Sequence, residues 1–165
     1  MISVWRIGMD TPDYTADDIK GLGAKASGGR WNRKGTAIVY CSATRALACL
    51  ETIVHLAVGD LPLNRYLVRV DIPDDIWDKR ETLTAETVQV GWDAQPAGMV
   101  SLDTGEQWVS RGSSCVLEVP SAIVHEEMNV LINPAHADAA KVKAQKIRLW
   151  LYDARLSWGL WDRRL

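Results

Sequence analysis

The sequence contains no phenylalanine. Its large aromatic surface falls instead to eight tryptophans. Tryptophan joins a broad apolar face to an N–H donor, so most of these are expected in the core and some on a binding surface. Cysteine is sparse, and Cys41, Cys49 and Cys115 are odd in number without metal-ligand spacing. That pattern points to free, mostly buried thiols and no disulfide framework. The three histidines are scattered, which argues against a zinc site, and no metal is expected. No apolar run approaches the ~20 residues of a membrane span and no signal peptide is visible, so a cytoplasmic protein is expected. There is no basic excess: the net charge is −2, and no basic stripe interleaved with aromatics suggests direct nucleic-acid binding. No Gly-x-Gly-x-x-Gly follows a strand, so the usual dinucleotide fingerprint is missing.

What is present fits one domain over residues 1–165, with a hydrophobic fraction of 47% and a charged fraction of 24%, enough to bury a core. Val4–Ile7 reads as a first strand and residues 11–23 as a polar loop with a helical turn. A glycine-rich segment follows at 25–35. Residues 37–41 form a β-rich run in which Ile38 and Tyr40 share a face. Ser42 reads as a helix N-cap and Gly59 as the residue that closes that helix, with Leu47, Glu51, Val54 and Val58 on one stripe. Further strands are expected at 66–72, at 115–119 with Ile123 and Val124 continuing it, and at 147–152. In the last, Ile147, Leu149 and Leu151 would form the buried side. Residues 74–86 read as charged surface and 88–99 as loop. Helices are expected at 104–111, capped by Asp103 or Thr104 and closed by Gly112, and at 136–143. Arg163 and Arg164 read as a solvated basic tip. About six strands and one strong helix in mixed order favour α+β over a doubly wound fold.

Several residues in this frame could carry chemistry. Arg30 could fork onto phosphate oxygens, although a structural arginine in a glycine turn is the commoner role. Trp31 could stack on a base or sit in the core; Asn32 could bind a ligand or fix the turn. Tyr40 could present its ring as a wall and its hydroxyl as a donor, or be a buried tyrosine with a satisfied hydroxyl. Glu51 shares its helix stripe with apolar residues. It reads either as a carboxylate that stabilises a developing cation or as one paired to an arginine. Ser121, after Val119-Pro120, could bond a phosphate or orient a carboxylate.

In order and spacing, Gly28-Gly29-Arg30-Trp31-Asn32, Tyr40, Glu51, Val119-Pro120-Ser121 and Asn133-Pro134 resemble the RES-domain family of bacterial toxins. So do Trp5-Arg6, Gly91-Trp92-Asp93, Gln107-Trp108 and Tyr152-Asp153-Ala154-Arg155-Leu156, and the resemblance spans nearly the whole chain. The family's Arg, Glu and Ser match Arg30, Glu51 and Ser121; His125-Glu126-Glu127 departs from the expected turn after the serine.

The resemblance implies an ADP-ribosyltransferase-like α+β fold, with small mixed or antiparallel sheets and a few helices packed on them. It implies a toxin of a toxin–antitoxin pair that consumes NAD⁺ as substrate, with no further cofactor, by hydrolysis or phosphorolysis of the nicotinamide–ribose bond. The partner it implies is a helix-turn-helix, Xre-type antitoxin. Arg30, Tyr40, Glu51 and Ser121 would be catalytic, with Trp31 and Asn32 contacting substrate. The alternatives are ADP-ribosyl transfer to a protein and a non-catalytic NAD⁺-binding or regulatory module. Exposed tryptophans would suit a homodimer or an antitoxin interface.

Overall fold

A computed structural model describes residues 1–57 and 60–158. In chain order the elements are β1 (Ile2–Met9), α1 (Leu22–Ser27), β2 (Val39–Ser42), α2 (Arg45–Ile53), β3 (Arg65–Ile72), α3 (Asp74–Trp77), β4 (Glu81–Thr82), α4 (Met99–Arg111), β5 (Val116–Pro120), β6 (Met128–Ile132), a 3-10 turn (Ala137–Lys141), β7 (Lys143–Leu149) and α5 (Arg155–Trp158). The strands form a seven-stranded sheet in the order β4-β5-β6-β2-β1-β3-β7. It is antiparallel except where β4 runs parallel to β5. The class is α+β as expected, but the strands join one sheet instead of several small ones.

The alternation of side chains assigns each strand residue to one of the two faces of the sheet. Val39 and Cys41 pack with Val4, Val70, Val116, Val130 and Ile132 on one face. Ile38 and Tyr40 face the other way, onto Trp31, Trp92, Trp108, Leu117, Val119 and Leu131. Tyr40 lies opposite Leu131 and Ser42 opposite Asn129 across the β2–β6 pair. Ser42 is two residues beyond Tyr40, so it too faces the tryptophan side. The three cysteines are free; burial pushes the thiols of Cys41 and Cys115 up to about 12 and about 11.

Several expectations change. The helix after β2 is capped by Thr44, whose side chain accepts the Leu47 N–H at 3.1 Å, and not by Ser42. It ends at Ile53; Val54 is exposed instead of continuing the stripe, and Val58 and Gly59 lie outside the described residues, as do Arg163 and Arg164. Residues 22–27, expected as loop and glycine-rich segment, form α1. Ile76 is buried within the charged 74–86 stretch. Helix α4 starts five residues before Thr104, at Met99 after Gly98, and closes at Gly112 as expected. Thr104 instead donates to the Val100 carbonyl at 2.7 Å. Ile123 and Val124 do not extend β5: their N–H groups turn back onto the Ser121 hydroxyl.

The expected burial in β7 is also displaced. The register passes from Leu67 opposite Arg148 to Val68 opposite Lys146, so Ile147 is an extra residue in the ladder. A one-residue bulge changes the face of everything on one side of it. The shift puts Leu149, opposite Tyr66, on the same face as Ala144, opposite Val70. Ala144 packs on the core there, while Ile147 and Leu149 on this edge strand, and Leu151 beyond it, are exposed. The tryptophans described with their side chains, Trp5, Trp31, Trp77, Trp92, Trp108 and Trp150, are buried or half-buried. Among the described residues, therefore, no exposed tryptophan is available to build an interface.

Helix α4 approaches the Arg30 segment so closely that a Cβ on Gly105 would overlap the Trp31 carbonyl oxygen. Gly105→Ala is expected to destabilise the protein by about 2 kcal/mol, since overpacking outweighs the helix-propensity gain of roughly 0.5–1 kcal/mol. Urea unfolding tests this; a midpoint unchanged or raised contradicts the close approach.

Candidate active site

The segment carrying Arg30 is held from three sides. Gly28 adopts φ 74°, the left-handed region that glycine alone enters freely, and so turns the chain out of α1. The Tyr40 hydroxyl accepts the Trp31 N–H at 3.0 Å and donates to Asn32 Oδ1 at 2.7 Å. The Asn32 amide nitrogen donates in turn to the carbonyls of Ala24, Arg33 and Thr36. From α4, the Glu106 carboxylate accepts the Arg33 N–H at 2.7 Å and the Thr36 hydroxyl at 2.8 Å, and Asp103 pairs with Arg33. Arg30 itself donates through one terminal nitrogen to the carbonyls of Trp92 and Ala94, at 3.0 and 2.9 Å. Among the described residues its other N–H groups have no hydrogen-bond partner. The guanidinium is thus aimed by backbone carbonyls while most of its fork stays available to an anion.

Glu51 projects from α2 toward the same sheet. Its Oε1 accepts from the Ser121 hydroxyl at 2.7 Å and from Asn129 Nδ2 at 2.6 Å. Asn129 Oδ1 accepts from the Ser42 hydroxyl at 2.7 Å. No hydrogen bond to Oε2 is present among the described residues. Among the described residues the carboxylate is therefore not paired to an arginine, which was the structural alternative. Two neutral donors fix it without cancelling its charge. Ser121 is fully buried, and its hydroxyl also accepts the N–H groups of Ile123 and Val124, which orients its proton toward Glu51.

A circuit of contacts joins the two groups. The carbonyl of Trp92 holds Arg30, and the Trp92 ring stacks on Trp31 with centroids 6.2 Å apart. Trp92 also meets His125, with ring centroids 5.1 Å apart, in the turn that starts at Ser121. Ser121 holds Glu51, Glu51 meets Asn129, and Asn129 meets Ser42. Ser42 is two residues from Tyr40 on β2, and Tyr40 holds the Arg30 segment. Arg30 and Glu51 therefore border the same face of the sheet.

Each candidate residue has a definite place. Arg30, Glu51 and Ser121 stand on this circuit with polar atoms directed into it. Tyr40 also lies on it, but its hydroxyl is engaged inside the Arg30 segment. Trp31 and Asn32, expected to contact substrate, are 2% and 1% exposed. Trp31 is part of the tryptophan core and the Asn32 side chain is bound within its own turn, so both shape the site from behind. Sequence reasoning missed Ser42, Asn129 and the partnership of Trp92 with His125. Asn129 had a signal: in Met128–Ile132 the alternation puts it on the same face as Leu131, a polar residue facing a core.

Burial pushes the Tyr40 hydroxyl well above its ordinary value near 10; the Trp31 N–H pulls the other way, and more weakly. The folded protein then keeps a proton that the unfolded chain releases above pH 10. Tyr40's contribution to stability is complete below that pH and is lost as pH rises further. Tyr40→Phe leaves the Trp31 N–H and Asn32 Oδ1 without their partner and is expected to cost about 1–3 kcal/mol at neutral pH. The alkaline decline above pH 10 should be shallower in the variant. Chemical denaturation across pH 7–11 checks both; equal stability and equal slopes contradict this role.

Comparison with known proteins identifies the scaffold. The sequence pattern of the RES domain matches residues 3–158. A Sphingobium protein named Prs ADP-ribosylating toxin is 56% identical over 154 residues, covering 93% of this chain and 96% of that protein. A Yersinia enterocolitica protein named Toxin Res is 36% identical over 123 residues, 74% of this chain and 79% of that one. Among solved structures, a chain of the M. tuberculosis MbcT–MbcA toxin–antitoxin complex superposes with a TM-score of 0.64 at 14% identity, covering 94% of this chain and 86% of that chain. That last likeness establishes a shared fold. With a family match over nearly its full length and a relative more than half identical, this chain belongs to the RES-domain family.

Proposed function

We propose that this protein is the toxin of a toxin–antitoxin pair and that it cleaves the nicotinamide–ribose bond of NAD⁺. The observation that carries the reading is Glu51: a carboxylate held at one oxygen by Ser121 and Asn129, on the same sheet face as a forked cation. Breaking the bond sends its electron pair to the nicotinamide ring, which leaves neutral. The positive charge passes from that ring to C1″ and O4″ of the ribose, giving an oxocarbenium-like transition state. No strong acid is needed for such a leaving group. The site has to bind the pyrophosphate, orient the ribose and stabilise the new cation. In this reading Arg30 binds the phosphates or the ribose edge, and Glu51 meets a ribose hydroxyl and the developing charge. Ser121 orients Glu51, and the Tyr40 ring walls the pocket. At roughly 4 Å and an effective dielectric near 20, a carboxylate–cation attraction is worth about 4 kcal/mol, enough to account for a large share of the rate.

The acceptor decides the biological outcome. Water would give ADP-ribose and phosphate its 1″-phosphate; either would deplete NAD⁺ and arrest growth. A protein acceptor is favoured by the Sphingobium relative, which is named for ADP-ribosylating Prs and is 56% identical to this chain over 154 residues. The same cleavage step serves all three. We further assign the toxin to the cytoplasm, where NAD⁺ is found, with a helix-turn-helix antitoxin as its partner. The fold shared with a chain of a toxin–antitoxin complex supports that pairing, and no helix among the described residues is long and apolar enough to cross a membrane.

Glu51→Gln, folded, should lose roughly a hundredfold or more in NAD⁺ turnover, the usual loss for one electrostatic contact in a transition state. Incubation of the purified chain with NAD⁺, phosphate and Prs, followed by mass spectrometry, separates the acceptors. A Glu51→Gln protein that cleaves NAD⁺ at the parental rate overturns the assignment.

A further inference from the structure

Resting on that reading, we propose that Asn129 and Ser42 are positioning residues that fix which oxygen of Glu51 faces the ribose. A glutamate carboxylate turns readily about its last torsion, so either oxygen could face the substrate unless something selects one. Here two donors converge on Oε1, from Ser121 at 2.7 Å and from Asn129 at 2.6 Å. Oε2 receives no hydrogen bond among the described residues and is the oxygen left for a ligand.

The direction of the Asn129 amide follows from its neighbours. A carboxylate only accepts, so the side facing Glu51 has to be the NH₂ group. The carbonyl Oδ1 then faces Ser42, whose hydroxyl has one proton to give and lies 2.7 Å away. Ser42 is 3% exposed, so water does not compete for that proton. Without the Ser42 hydroxyl the amide could turn its oxygen toward Glu51, replacing attraction with repulsion. The pair is set by the sheet itself, because Ser42 and Asn129 lie directly opposite each other on β2 and β6. Catalytic geometry is thereby built into strand register instead of a loop. A role in stability alone would be met as well by a cation, which would neutralise the carboxylate. Neutral donors preserve its charge for the substrate.

Ser42→Ala and Asn129→Asp test the proposal in the full-length protein, with kcat and KM for NAD⁺ measured between pH 5 and 9 and thermal unfolding alongside. Ser42→Ala should lower kcat by between about tenfold and a hundredfold, the loss typical of a misdirected group, with KM little changed. Asn129→Asp puts a second carboxyl at hydrogen-bond distance from Glu51, and two such groups share one proton. While that proton is held, it replaces the amide N–H; once it leaves, the two charges repel. The variant should therefore be most active at acid pH and lose at least about tenfold by pH 8, a limb absent from the parent. A purely structural role would lower the unfolding temperature without the kcat–KM split or the new limb. Parental kcat and pH profile in both variants overturn the proposal. If the parent itself does not cleave NAD⁺, the functional reading fails separately. The positioning claim is then decided by carbon-13 NMR titration of the carboxyls in Asn129→Asp. A shared-proton titration supports it, and two independent ordinary titrations overturn it.

Discussion

The structure depends on how one carboxylate is held. Glu51 leaves α2 on a stripe that begins with buried Leu47, and a charged group in that position needs partners. Its partners are the hydroxyl of Ser121 and the amide of Asn129, both neutral and both on Oε1. An arginine would have satisfied the carboxylate equally and left it electrically silent. The arrangement seen keeps a negative charge at a fixed place near a surface that also carries Arg30. The strand register of β2 against β6, the turn after β5 and the cap of α2 all serve this one placement. Thr44 takes the cap, so the Ser42 hydroxyl is free to meet Asn129.

The second half of the site is built by different means. Arg30 sits in a turn whose backbone is bound by Tyr40 from the sheet, by Glu106 from α4 and by the Asn32 side chain from within. The guanidinium is aimed by carbonyls from the 92–94 loop. Trp92 then bridges to His125, in the turn whose first residue holds Glu51. Neither half is independent of the other. Such coupling suits the proposed reaction, because a preorganised site has no reorganisation left to make when charge develops.

Much of this was legible in the sequence and some was not, for physical reasons. The alternation around Ile38 and Tyr40 gave their shared face, since period two is unambiguous in a short strand. Helix α4 begins before its first sequence signal because its start at Gly98 has no side-chain cap to announce it. Residues 22–27 were read as loop because Gly21, Gly23 and Gly28 obscure the helix formers between them. Ile147 and Leu149 stay exposed because β7 lies at the sheet edge and bulges at Ile147, which no pattern in a single strand reveals. At the site, Arg30, Glu51 and Ser121 were found as residues, yet their partners were not. Ser42 resembles a helix cap, and Asn129 offers only the alternation of its own strand. Only strand pairing, a relation between segments 87 residues apart, shows that they form one unit.

In the function proposed above, Arg30 and Oε2 of Glu51 face one substrate. A crystal structure of this protein with a non-hydrolysable NAD⁺ analogue tests it most directly. The account predicts the pyrophosphate or ribose edge against the Arg30 guanidinium and a ribose hydroxyl within hydrogen-bond distance of Oε2, with Oε1 still bound to Ser121 and Asn129. A dinucleotide on another face of the sheet, or one that reaches Arg30 while Glu51 stays out of contact, would contradict it.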